Sequence, residues 1–117
     1  MATILVVEDE DALRRLAAVI LQTAGYEVIT ASNGVEGVAL FRSSPDQFSV
    51  VLTDLRMPVM NGQQLVKLVQ ETDPRAKIIC MSGYTDEDIP AGTVFLQKPF
   101  SPDALRARVS EALKREM

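Results

Sequence analysis

At 117 residues the chain has the length of a single domain, and it needs neither a disulfide nor a structural metal to fold. One cysteine, Cys80, excludes an internal disulfide and fits a reducing compartment, while a formal charge of −4 with no basic cluster argues against nucleic-acid binding by this chain alone. The absence of histidine removes imidazole acid–base chemistry and a phosphohistidine made on this chain, and no apolar run approaches the ~20 residues of a membrane span.

Thr3-Ile4-Leu5-Val6-Val7 is a short apolar run, read as a buried strand, and it ends in Glu8-Asp9-Glu10-Asp11. Nothing before it has the charged start and cleavage site of a signal peptide. Leu13, Leu16, Ala17, Ile20, Leu21 and Ala24 then recur at helical spacing, with Gly25 placed to end the helix. Glu10 and Asp11 suit the positive end of that helix. Glu27–Ala31 reads as a second strand. Asn33 followed by Glu36 has the capping-box pattern, with Val35, Val38 and Ala39 as the helix's inner face.

Val50-Val51-Leu52-Thr53-Asp54 is the third strand, and it stops at a carboxylate. A loop with Pro58 and Asn61-Gly62 follows, then a helix marked by Leu65, Leu68 and Val69 that stops before Asp73-Pro74. Lys77–Met81 is the fourth strand, ending at Ser82-Gly83. Thr93–Leu96 is the fifth, ending near Lys98-Pro99. Ser101-Pro102-Asp103 is a helix start, with Leu105, Val109, Ala112 and Leu113 on the inner face. The connection from Tyr84 to Gly92 is acidic, broken by Pro90 and Gly92, and carries no apolar stripe, so a full helix is not expected there.

Strands alternating with helices predict a parallel sheet covered on both faces. In such a sheet, chemistry collects at the carboxyl ends of the strands. Those ends carry Glu8 and Asp9, Asp54, Ser82 and Lys98. Alone, each has an ordinary explanation: Asp9 caps a helix, Ser82 shapes a turn, Lys98 is a solvated charge. Their coincidence at four different strand ends favours a site. Like charges 4 Å apart repel by about 4 kcal/mol at an effective dielectric of 20, so three gathered carboxylates call for a cation. Oxygen donors without His or Cys favour Mg²⁺. A lysine and a hydroxyl beside them suit a phosphoryl group, and a carboxylate can attack phosphorus to give an aspartyl phosphate.

The segments Ile4–Glu10, Leu52–Pro58 with Gly62, Met81-Ser82-Gly83 and Lys98-Pro99-Phe100 together resemble the receiver domains of two-component response regulators, over the whole chain, 1–117. The resemblance implies a flavodoxin-like (βα)5 fold, doubly wound, with strand order 2-1-3-4-5. Ser82 and Lys98 stand only 16 positions apart, so here the fourth helix is expected to be shortened or missing. It implies that Asp54 takes a phosphoryl group from a phosphohistidine on a sensor histidine kinase or histidine phosphotransfer domain. Glu8, Asp9, Asp54 and the backbone carbonyl of Arg56 are then the Mg²⁺ ligands; Glu8 stands where Asp is commoner, leaving direct and water-mediated contact both open. Ser82 is the switch hydroxyl, Lys98 the partner lysine, and Phe95 the aromatic that changes rotamer on activation. The Lys98–Pro99 bond is expected to be cis.

The resemblance also implies that Arg56 and Tyr84 flank the path of a hydrolytic water, and neither is a general base at neutral pH. Slow self-dephosphorylation is the expectation. With the fourth-helix region reduced, partner docking is expected at the first helix and the loop after the last strand. The wording around Met81–Thr85 and Phe95–Phe100 also looks like receivers of hybrid sensor histidine kinases. That implies a regulatory domain rather than an enzyme, in the cytoplasm, with any membrane tether supplied by a longer hybrid kinase.

Three rivals are weaker. A flavin binder of the same fold needs a phosphate-binding loop where this chain has Glu8-Asp9-Glu10-Asp11. A receiver that is never phosphorylated has no need of the Asp54, Ser82 and Lys98 set. An aspartate-nucleophile hydrolase wants a second aspartate on the same loop and a cap domain, for which the chain has no room. The cognate kinase, the signal and the output stay open, as does whether the chain stands alone.

Overall fold

A computed structural model describes residues 2–83 and 89–115. The elements run β1 (Thr3–Val7), α1 (Asp11–Thr23), β2 (Glu27–Ala31), α2 (Gly34–Ser43), a short 3-10 turn (Pro45–Gln47), β3 (Val50–Asp54), α3 (Gly62–Thr72), β4 (Ile78–Ser82), β5 (Val94–Gln97) and α4 (Pro102–Lys114). All five strands are parallel, in the order β2-β1-β3-β4-β5.

Alternation along β1 divides the core. Ile4 and Val6 face Ala17, Ile20 and Leu21 of α1 and Leu105, Val109 and Ala112 of α4. Leu5 and Val7 face Val38 and Phe41 of α2 and Leu65, Val66 and Val69 of α3. The strand is buried on both faces, which explains its unbroken apolar run. Between β4 and β5 no helix is found among the described residues. The forecast for Tyr84–Gly92 falls mostly on residues 84–88, outside the described residues.

Two inner faces differ from the sequence reading. In α1, Leu16 is 49% exposed. In α2, Val35 and Ala39 are exposed, and the buried positions are Gly34, Gly37, Val38 and Phe41. In α2 the cause is close packing. A Cβ on Gly37 would stand 2.8 Å from Val7 Cγ2, so the glycine lets α2 lie directly on the sheet and rotates its apolar stripe. The β4 and β5 bounds each fall one residue later than the apolar runs indicate.

Helix ends follow local chemistry. Gly25, at φ 99, receives the end of α1, and Asn33 caps α2 by accepting from Glu36 N–H at 2.8 Å. Ser101 caps α4, with Pro102 at its first position. The cap of α3 is a full capping box: Asn61 Oδ1 accepts from Gln64 N–H at 2.9 Å, and Gln64 Oε1 from Asn61 N–H at 3.0 Å.

Candidate functional site

Strand register brings the singled-out residues to one edge. Val7 pairs with Thr53, Asp54 with Met81, and Ser82 with Gln97. The next residue of β1 is therefore Glu8, level with Asp54, and the next of β5 is Lys98. The ladder continues one step into the loop, where Lys98 N–H donates to the Ser82 carbonyl at 2.8 Å. The Lys98–Pro99 peptide is cis.

Lys98 Nζ lies between two carboxylates, 2.7 Å from Asp54 Oδ2 and 2.8 Å from Glu8 Oε1. The remaining oxygens are held by backbone. Asp54 Oδ1 accepts from Arg56 N–H at 3.0 Å, and Glu8 Oε2 from Glu10 N–H at 3.1 Å. Glu8 is 1% exposed and Asp54 6%, while Asp9 stands in solvent. One oxygen from each of Glu8, Asp9 and Asp54 lies within 4.8 Å of the others.

Burial pushes the Glu8 carboxyl above its ordinary value; hydrogen bonds from Lys98 and Glu10 oppose this, and the Asp54 charge adds to it. Burial pulls the Lys98 ammonium down, but its bonds to Asp54 and Glu8 and their charges outweigh that and hold it above the ordinary lysine value. The lysine is thus a fixed positive charge against Asp54.

Ser82 is buried at the end of β4, 1% exposed. Phe95 is partly buried and pairs with Cys80, so it lies on the α3 face of the sheet, opposite Val94 and Leu96. The Arg56 side chain is exposed beside the site. Tyr84 lies outside the described residues. Glu10 occupies the N-cap of α1, but its side chain makes no capping bond, and Asp11 in the first turn pairs with Arg14. Asp9 is not a cap at all.

Two contributors escaped the sequence reading. Gln64 completes the box that starts α3, and the Asn–x–x–Gln spacing that signals it is the one recognised at Asn33 and Glu36. Arg14 Nη1 donates to the Glu8 carbonyl at 2.9 Å, a side-chain-to-backbone contact with no spacing signature.

The sequence matches the family described as "Response regulator receiver domain" over residues 4–110. It is 37% identical to the sensor kinase CckA of Brucella abortus (strain 2308), covering 98% of this chain but 13% of that protein. It is 36% identical to the response regulator receiver protein CpdR of the same organism, covering 97% of this chain and 96% of CpdR. Among solved structures, a response regulator receiver domain protein from Clostridium thermocellum superposes with a TM-score of 0.92 at 29% identity, covering 98% of this chain and 96% of that one. With its sheet order, its edge of carboxylates and lysine, and a family match across nearly its whole length, the chain belongs to the response regulator receiver domains of two-component signalling.

Proposed function

We propose that residues 1–117 act as one phosphoaccepting receiver, in which Asp54 takes a phosphoryl group from a phosphohistidine on a sensor histidine kinase or histidine phosphotransfer domain. The observation that carries this reading is Lys98 Nζ at 2.7 Å from Asp54 Oδ2, a fixed ammonium against a nearly buried carboxylate. In the transfer a carboxylate oxygen of Asp54 forms a bond to phosphorus as the phosphorus–nitrogen bond breaks. The imidazole leaves with the electron pair and takes up a proton. Such transfers depend mainly on positioning and charge stabilisation. The backbone N–H of Arg56 and the Lys98 ammonium fix the Asp54 carboxylate for attack, and Ser82, one residue beyond Asp54's partner on β4, supplies the hydroxyl for the phosphoryl oxygens.

The donor set fits a magnesium ion. Three carboxylates face one ammonium, leaving a surplus of two negative charges on oxygen donors alone. Glu8, Asp9 and Asp54, with the Arg56 backbone carbonyl, would hold it. When bound, it would supply positive charge to the transferring phosphoryl group. Titration with Mg²⁺ should show binding that Asp9→Ala weakens at least tenfold; equal affinity in the variant would remove Asp9 from the site.

Partner docking is proposed on a groove of about 620 Å³ that opens beside Lys98, walled by Leu13 and the exposed Leu16 on α1 and by Pro99 and Phe100 after β5. The switch would run through Ser82 and Phe95. The resemblance assigns Arg56 and Tyr84 a shielding role against hydrolysis, so the phosphoryl group would decay slowly, and an Arg56→Asn, Tyr84→Ala double variant should lose it faster. The chain would thus be a regulatory domain working in the cytoplasm, with any membrane tether supplied by a longer protein.

The deciding experiment is incubation with a phosphorylated histidine kinase or acetyl phosphate. One acid-stable, base-labile phosphate per chain is expected, and Asp54→Asn should take up none. Equal labelling of the variant would refute the assignment.

A further inference from the structure

We propose that Arg14 is a positioning residue for Asp9: it fixes the backbone from which that carboxylate reaches the acidic cluster. The inference rests on the reading of Glu8, Asp9 and Asp54 as a Mg²⁺ site. Of these carboxylates, two are held at both oxygens, Glu8 by Lys98 and Glu10 N–H and Asp54 by Lys98 and Arg56 N–H. The Asp9 carboxylate has no such bond among the described residues, and it is exposed. Its aim is set by its backbone.

That backbone is pinned on both sides. Glu8 N–H donates to the Ala31 carbonyl at 3.1 Å, which ends the sheet ladder. Arg14 Nη1 donates at 2.9 Å to the Glu8 carbonyl, the oxygen of the peptide bond that joins Glu8 to Asp9. Its other terminal nitrogen pairs with Asp11. The Arg14 side chain is only 17% exposed, so water has limited access to replace it. Glu10 makes no capping bond at the start of α1. Arg14 therefore ties the helix to the chain leaving β1, a task an N-cap side chain often performs.

Charge and position predict opposite results. A guanidinium near an incoming cation repels it, so if Arg14 acted through its charge, removing it would tighten Mg²⁺ binding. If Arg14 acts through position, removing it weakens binding. Loss of groups that orient metal ligands typically costs 10–100-fold in affinity.

The test is Mg²⁺ titration of the full chain, followed by amide chemical shifts, with urea midpoints confirming that each variant is folded. Arg14→Ala should weaken Mg²⁺ binding about tenfold. Arg14→Met, which keeps the apolar stem, should do the same. Arg15→Ala removes an equal charge from the next, exposed position and should bind as the parent does or more tightly. Parent-like or tighter binding in both Arg14 variants, or equal weakening in Arg15→Ala, would overturn the positioning role and leave the metal site standing. A parent that binds no Mg²⁺ would overturn both.

Discussion

Lys98 is the residue on which the site's electrostatics turn. Its ammonium bridges Glu8 and Asp54, both nearly buried. Because its folded value is raised, its contribution to stability is complete below the ordinary lysine value of 10.5 and is lost as the pH rises past it. Glu8 works in the opposite sense. Its folded value is also raised, so its cost is absent when it is protonated at low pH and appears as the pH rises through the carboxylate range. Lys98→Met leaves two acids facing each other without a counter-charge. Without metal, at neutral pH, it should destabilise the fold toward the low end of the about 3–5 kcal/mol typical of a broken buried pair. The loss should shrink near pH 4, and urea midpoints at the two pH values check both statements.

Val59 is a second residue-scale feature. It has φ 70 in a tight turn closed by Met60 N–H donating to the Pro58 carbonyl at 2.8 Å, and it is 92% exposed. A β-branched residue there is strained by about 1–3 kcal/mol, with no packing to offset it. Glycine relieves the strain but adds about 0.5–1 kcal/mol of freedom to the unfolded chain. Val59→Gly should therefore raise stability by roughly 1 kcal/mol in denaturant unfolding.

At the scale of elements, α3 is built onto the phosphoacceptor strand. A Cβ on Gly62 would meet the Asp54 carbonyl oxygen and would stand 2.6 Å from Leu55 Cα, and neither backbone atom can give way. Gly62→Ala should cost about 1–3 kcal/mol by overpacking and should also impair phosphate uptake, since the strain falls on Asp54's own backbone. Phosphorylation equal to the parent's in a folded variant would show that the loop absorbs the change. Periodicity and cap chemistry made β1, β2, the Asn33 cap and the Ser101-Pro102 start legible, because those signals are local. The rotation of α2 was hidden, because it follows from Gly37 meeting Val7 across the sheet. Leu16 was read as core because helical spacing alone does not tell a buried stripe from the wall of an open groove.

At the scale of the whole molecule, the sheet order does the work of assembly. It places the end of β1 beside that of β3, and β4 beside β5, so acids and a lysine far apart in sequence meet at one edge. That convergence was legible because each residue sits at the end of its own apolar run. The contact of Arg14 was not, since a bond to a neighbouring backbone is read only once the chain's path is known, whereas the Gln64 cap carries a local spacing signal like that of Asn33. Of the three neighbouring carboxylates, Asp54 is the one proposed to carry phosphate. Borohydride reduces an acyl phosphate to an alcohol and so marks the carboxyl that held it. After phosphorylation, reduction and tandem mass spectrometry, homoserine is expected at position 54, with Glu8 and Asp9 unmodified. Reduction at either of those acids, or at none of the three in a labelled sample, would contradict it.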